Sequence, residues 1–269
     1  MSNPWDIVIL GCGQLGGNLK TELEAEKFRV LGVRRSSVTH ESHFLSLDLD
    51  NADSWAEIAQ LSLSDRAVIV AIVTPDARNE SAYRHRYVGV SERLRQFISR
   101  SNRQLPVIWV SSTAVFGTDQ EGHLAEAVSP EPNHWRGDIV REAEHHIEQI
   151  QSPTTIIRFA GLYSTQSFTR MTDQDFRTQL NPETVSNRMH RADAVRWLRF
   201  LILAHQRNMS VPALVHGVDE GSATYQAIFD VIDGRTRELV TAHTGRVIAT
   251  QYRDLMPPLS YPTCLAAIR

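Results

Sequence analysis

From Asp6 to Phe159 the chain alternates short apolar runs with amphipathic stretches, and this rhythm constrains the fold more than any other feature. Apolar runs at 6–10, 28–33, 44–47, 67–73, 106–111 and 154–159 read as strands. The stretches at 14–27, 52–61, 81–101 and 134–150 read as helices. In the second of these, Trp55, Ile58, Ala59 and Leu61 fall on one helical face. Strands separated by helices build a parallel sheet wrapped on both faces. The run Ala67–Val73 is apolar throughout, which suits a strand buried on both sides. The expected architecture is α/β, a doubly wound parallel sheet.

After residue 160 the rhythm loosens. Residues 161–187 are polar and irregular, 191–205 read as a helix, and 211–215 as a strand. Ser222, after Gly221, is placed to cap a helix running to Ile232. The tail from Gly234 mixes short apolar pieces with Pro257 and Pro258. The expected division is a doubly wound core over residues 1–160 and a smaller C-terminal substrate lobe over 161–269. That lobe also returns elements to the sheet.

Composition narrows the function. The 269 residues are 42% hydrophobic and 22% charged, enough for a large buried core. The net charge is −3 and no basic run stands out, which argues against a nucleic-acid partner. The seven-residue run 67–73 is the longest apolar one, whereas crossing a bilayer takes about 20 residues. No membrane span is expected, and Met1–Trp5 lacks the pattern of a secretory signal. Two cysteines, Cys12 and Cys264, make neither a disulfide framework nor a metal cluster, so a reducing, cytoplasmic setting fits. His40-Glu41-Ser42-His43 and His145-His146 read as surface histidines without a third ligand, and no metal site is expected. The 28 basic residues are 26 arginines and two lysines, Lys20 and Lys27. Chemistry that needs a lysine beyond residue 27 is therefore excluded.

Gly11-Cys12-Gly13-Gln14-Leu15-Gly16 is a G-x-G-x-x-G run between the first strand and the first helix. Small residues there let the backbone approach a pyrophosphate, and the helix N-terminus favours its negative charge. In this context the run marks a Rossmann-like, dinucleotide-binding core. NAD sites usually place an acid at the end of the second strand, and NADP sites an arginine. Leu31-Gly32-Val33-Arg34-Arg35-Ser36-Ser37 offers no acid. Two arginines with two hydroxyls suit a phosphate dianion. The expected cofactor is NADP(H), ahead of NAD(H).

Further segments resemble the short-chain dehydrogenase/reductase superfamily in its extended, NAD(P)-dependent epimerase/dehydratase-like form. Leu47-Asp48-Leu49-Asp50 resembles the segment that holds the adenine, and Tyr87-Val88-Gly89-Val90 the start of the long helix after the fourth strand. Trp109 to Gly117, reading WVSSTAVFG, is similar to the strand-five segment that usually ends Val-Tyr-Gly. Arg141-Glu142-Ala143-Glu144 resembles the helix that normally carries Tyr-x-x-x-Lys, and Ile157 to Tyr163 the sixth strand and its turn. Asn187 to Asp193 resembles an Ile-His-Val-Asp-Asp segment. The resemblance implies cofactor contacts at Gly11, Gly13, Gln14, Leu15, Gly16, Arg34, Arg35, Asp48 and Leu49. It also implies a homodimer through the helix from Tyr83 to Ile98.

The departures are as informative. Aligning Glu142-Ala143-Glu144 puts Arg136 where the tyrosine belongs and Val140 where the lysine belongs. No tyrosine lies between Tyr87 and Tyr163 to replace it. This resembles an atypical subgroup that keeps the upstream serine and lacks the Tyr-x-x-x-Lys pair. The resemblance assigns Ser112 to the substrate oxygen. Histidine is a residue type suited to proton transfer near neutral pH, which makes His134 a candidate, and Arg136 can hold an anion or a developing oxyanion. His190 and Arg188 are further candidates, in a segment that usually organises cofactor and substrate. The expected function is an NADP(H)-binding oxidoreductase or epimerase/dehydratase-like enzyme acting on a small oxygenated substrate. The competing expectations are a non-catalytic NADP(H)-binding sensor or regulator, and a non-redox isomerase or lyase. Ser164 to Ser186 is expected to line the substrate pocket.

Overall fold

The structure, a computed structural model, describes residues 3–36, 43–236, 242 and 244–268. Ser37 of the arginine segment and His40-Glu41-Ser42 lie outside the described residues. Seven strands form the main sheet: β1 (Trp5–Leu10), β2 (Val30–Arg34), β3 (Phe44–Ser46), β4 (Leu63–Ala71), β5 (Val107–Ser112), β6 (Thr154–Phe159) and β7 (Leu214–Gly217). Their order is β7-β6-β5-β4-β1-β2-β3. The pairs β1–β2, β1–β4, β2–β3 and β4–β5 are parallel. Strand order therefore reverses between β1 and β4, the place where open α/β sheets bind ligands beyond their carboxyl ends. The doubly wound α/β architecture is as expected.

The described chain divides into two compact units. The first holds residues 1–111, 134–157 and 198–214, and the second 112–133, 158–197 and 215–269. In the first unit, helix α1 (Gln14–Ala25) buries Leu15, Leu19 and Leu23, one turn apart. Each such leucine contributes on the order of 1.5–3 kcal/mol by leaving water. Residues 67–71 of β4 are all at most 1% exposed, so both faces of the strand are covered. Helix α2 (Ala52–Ala59) is capped by Asn51, whose side chain accepts from the Asp53 N–H. The Trp55 indole donates to Leu49 O at 3.0 Å and fixes the segment after β3.

The helix expected at 81–101 is not uniform. Glu80–Tyr83 is α-helical, Arg84–Gly89 is a π-helical turn, and α3 (Val90–Arg100) resumes the α-helix. The wide turn shifts register, and Arg86 within it is 5% exposed. Helix α4 (Trp135–Glu148) buries Ile139, Val140, Ala143 and Ile147. Glu144 is also buried on α4, where it accepts from the Ser111 hydroxyl at 2.6 Å and from Arg141 at 3.0 Å. His145 is exposed as expected, whereas His146 is half-buried. Its ring meets Ser91 Oγ at 3.0 Å in the contact with α3.

Thr155 Oγ1 donates to Pro212 O, so it accepts from His205 Nε2. His205 is 5% exposed, and burial pushes its pKa down to about 4. A folded-state pKa below the unfolded value means that the unfolded chain binds the proton first. Stability is therefore lost as pH falls from about 6.5 towards 4, by about 1.4 kcal/mol per unit. Urea midpoints at pH 7 and pH 5 are expected to move further apart for wild type than for His205→Gln. Equal pH shifts in the two proteins would show that His205 is not the proton acceptor.

In the second unit, Gly161–Tyr163 pairs in parallel with Arg188–His190, and Gly122–Leu124 with Arg246–Ile248. Residues 161–187 are more ordered than their polarity suggests. A 3-10 helix spans Thr165–Thr172 and a short helix Gln174–Arg177. Helix α5 (Arg191–Gln206) begins in this unit, immediately after the strand ending at His190. Two expectations are corrected here and at β7. The strand expected at 211–215 is Leu214–Gly217, because Pro212 has no N–H to offer a ladder. Ser222 does not cap a helix. Ala223–Thr224 first pairs with Val185–Ser186, and Thr224 then caps α6 (Tyr225–Ile232) by accepting from the Ala227 N–H. Ser222 donates instead to Asn187. Tyr163, Phe168, Ile228, Phe229, Cys264 and Leu265 form the core of this unit. Among the described residues no helix is long and apolar enough to cross a membrane, and no cluster could hold a metal ion.

Candidate functional site

The first site lies wholly in the first unit, beyond the carboxyl ends of β1, β2 and β4. It is a cavity of about 830 Å³. Gly11, Gly13, Gln14, Arg34, Arg35 and Leu49 line it, so six of the sequence-derived cofactor residues come together there. Gly11 has φ +82°, and a Cβ on it would stand 2.2 Å from Ile72 O. Only glycine allows this turn to run so close to the end of β4. Gly13 is the opposite case: a Cβ there meets nothing within 4 Å, because it would project into open space. Gly13 is also the N-cap of α1. No side chain caps that end and its first turn holds no acid. Its free N–H groups and positive dipole end therefore remain open to an anion.

The remaining cofactor candidates have other surroundings. Leu15 and Gly16 are buried, and Gly16 packs α1 against Ile9 and Cys12. Asp48 is half exposed. Arg34 stacks its guanidinium over the Phe44 ring, 4.1 Å from the centroid. Arg35 forms a two-pronged ion pair with Asp76. Residues 31–37 offer no acid, but the loop after β4 supplies one. Asp76 and Arg86 both line the cavity and were not singled out from the sequence. A signal for Asp76 existed, since it follows the carboxyl end of a central strand. None existed for Arg86, because the π turn that places it has no sequence mark.

The second site lies wholly in the second unit, a cavity of about 380 Å³. Ser112, Asn187, Arg188, Tyr225 and Arg246 line it, with Thr184, Val185 and Ser186 from the end of the segment expected to do so. Ser112 Oγ accepts from the Ala114 N–H at 3.2 Å, which leaves its proton free to donate. Arg188 lies near the Phe168 and Tyr225 rings, and among the described residues its buried Nε has no hydrogen-bond partner. Arg246 bonds Phe116 O and Gly117 O. Two guanidiniums beside a hydroxyl can hold a hydroxylated or anionic ligand. Arg246 carried no motif in the sequence.

His190 does not line this cavity. It is 7% exposed and stacked on Tyr261 at 3.7 Å, and burial lowers its pKa. His134 and Arg136 belong to the first unit. His134 is the N-cap of α4, its Nδ1 accepting from the Arg136 N–H at 3.2 Å. Arg136 is exposed and stacks on Trp135 at 5.1 Å. Val140, at the lysine position, is 1% exposed.

These features define a dinucleotide-fold protein with a glycine-lined helix terminus. A family model for the RmlD substrate binding domain matches residues 5–194, and the chain belongs to that family. The membership agrees with the epimerase/dehydratase-like resemblance of its motifs. No curated protein sequence matches the chain. Among solved structures, it is similar to a protein from Methylobacillus flagellatus assigned as an NAD-dependent epimerase/dehydratase. That likeness has 24% identity and a TM-score of 0.77, and covers 98% of this chain and 96% of that one. UDP-glucuronic acid 4-epimerase from Bacillus cereus, in complex with UDP-glucuronic acid and NAD, is 16% identical with a TM-score of 0.70. The coverage is 97% of this chain and 96% of that one. A short-chain dehydrogenase/reductase superfamily protein from Agrobacterium tumefaciens with bound NAD is 13% identical with a TM-score of 0.66. It covers 91% of this chain and 84% of that one.

Proposed function

We propose that the protein is an NADP(H)-binding oxidoreductase or epimerase/dehydratase-like enzyme acting on a small oxygenated substrate. One observation carries the reading: the uncapped N-terminus of α1 opens, at Gly13, into a cavity that Arg34 and Arg35 also line. A pyrophosphate fits the first feature and a 2′-phosphate the second. Solved relatives carry NAD, which supports a nicotinamide cofactor of some kind. When bound, such a cofactor gives or takes a hydride at its nicotinamide ring. Gly11 and Gly13 would admit the pyrophosphate, and Arg34 and Arg35 the ribose end. Ser112 would donate to a substrate oxygen, with Arg188 and Arg246 holding its hydroxyls or charge. NADP(H) is expected to bind at least about tenfold more tightly than NAD(H), a difference of about 1.4 kcal/mol from one charge-assisted contact. Calorimetry on both cofactors tests this, and equal affinities or a preference for NAD(H) reject the arginine argument.

A second reading, a non-catalytic NADP(H)-binding sensor, is favoured by one observation. The positions of the proton-moving pair hold an exposed Arg136 and a buried Val140, while His134 Nδ1 is engaged in its own helix cap. Consumption of NADPH with a panel of carbonyl compounds decides between the two readings. Replacing His134 then asks whether it supplies the proton, through the pH dependence of the rate between about pH 5 and 8.

A further inference from the structure

Asp76 lies five residues beyond the end of β4 and receives both terminal nitrogens of Arg35. A second guanidinium approaches the same carboxylate: Arg86 Nη2 lies 3.5 Å from Asp76 Oδ2. It also lies 3.2 Å from Asp50 and 3.8 Å from Asp48. The Arg86 side chain is only 7% exposed, and among the described residues its Nε has no hydrogen-bond partner, while Nη2 stands within ion-pair range of the three carboxylates. Such a group is costly to leave unsatisfied, and Arg86 lines the cradle. The two partners of Asp76 differ in freedom. Asp76 is half exposed on a non-helical segment, whereas the π turn holds Arg86 in the wall.

We propose that Asp76 is an internal stand-in for a cofactor 2′-phosphate, filling the fork of Arg35 in the free protein and yielding it to the phosphate, which Arg86 then helps to hold. The proposal rests on the reading of this cradle as a dinucleotide site. A carboxylate and a phosphate present the same pair of oxygens to a guanidinium, so one replaces the other without rebuilding the fork. Among the described residues Arg34, Arg35 and Arg86 face Asp48, Asp50 and Asp76, so these groups are balanced in charge. Withdrawal of Asp76 leaves them one positive charge in excess, where the dianion arrives. The Arg35 guanidinium holds the Asp76 carboxyl below the usual range, so the competitor stays ionised at neutral pH. Asp76 is thereby a specificity-determining residue. It opposes the phosphate-bearing cofactor and leaves the unphosphorylated one nearly untouched.

The test uses adenosine 2′,5′-bisphosphate and 5′-AMP as probes, with calorimetry on wild type, Asp76→Asn, Arg35→Ala and the double variant. Asp76→Asn is expected to bind the bisphosphate about tenfold more tightly, with 5′-AMP changed by less than about threefold. The gain is expected to vanish in the Arg35→Ala background. Arg86→Gln is expected to weaken the bisphosphate and spare 5′-AMP. An unchanged bisphosphate affinity in Asp76→Asn overturns the proposal. So does a selective loss of 5′-AMP binding, which would mean that Asp76 accepts a ribose hydroxyl. Failure of all four proteins to bind either probe removes the dinucleotide reading together with the proposal. A wild type that prefers NAD(H) to NADP(H) rejects only the cofactor assignment, because the Asp76→Asn gain is read on the bisphosphate itself.

Discussion

Gly13→Val is expected to abolish binding of both NADP(H) and NAD(H) while costing only about 1 kcal/mol of stability. Gly13 has a negative φ of −84° with ψ −148°, at the edge of the extended region, and an added Cβ meets nothing within 4 Å. The fold therefore accepts valine, and the cost is the poorer N-cap of α1. The branched side chain would nevertheless stand at the helix terminus that a pyrophosphate must approach to within hydrogen-bond distance. Gly11→Ala supplies the contrast. Its Cβ would fall 2.2 Å from Ile72 O on a backbone at φ +82°, so β4 or the turn must move. Strain and displacement together are expected to cost roughly 2–5 kcal/mol. Calorimetry beside thermal unfolding separates the two variants: one loses ligand and melts only a few degrees early, the other melts much earlier. A Gly13→Val protein that still binds either cofactor would place the phosphate cradle elsewhere.

Much of the first unit was legible because its signals are local. The buried run at β4, the leucine spacing of α1 and the glycines between β1 and α1 each follow from a few neighbouring residues. The features that escaped depend on distant partners. His146 reads as a surface histidine until Ser91 of the neighbouring helix is placed beside it. Ser222 reads as a cap until the Ala223–Thr224 strand pairing delays the helix by two residues. Arg86 reads as one solvated arginine among 26, and the π turn that buries it depends on packing. The cradle was half legible for the same reason. Gly11, Gly13, Arg34 and Arg35 sit in contiguous segments, whereas Asp76 reaches Arg35 across 41 residues of sequence. A search restricted to residues 31–37 finds no acid there, though one closes over Arg35 from the next strand in the sheet but one.

Asp193→Ala is expected to lower stability by about 3–5 kcal/mol, the usual cost of removing one partner from a buried charged network. Asp193 lies in the first turn of α5 and its side chain has no solvent exposure. Oδ1 accepts from the Ser260 N–H at 2.8 Å and from Arg196 at 3.1 Å, and Oδ2 accepts from the Tyr261 N–H at 2.9 Å. Alanine leaves two part-buried backbone donors without an acceptor. It also frees Tyr261, whose ring stacks on His190, and with it the approach to the terminal helix Cys264–Ile268. That helix supplies Cys264 and Leu265 to the core of the second unit, so the loss spreads beyond the two bonds. Asp193→Asn keeps one acceptor oxygen and is expected to lose only about 1–2 kcal/mol. Urea unfolding ranks the two variants, and brief trypsin digestion locates the damage. The chain that follows Arg253 is tied down by Trp197 Nε1 on Pro257 O and by the Asp193 bonds at Ser260 and Tyr261. Cleavage after Arg253 is therefore expected to accelerate in Asp193→Ala before the first unit unfolds. A variant with wild-type urea midpoint and digestion rate would mean that the tail is held by its apolar contacts alone.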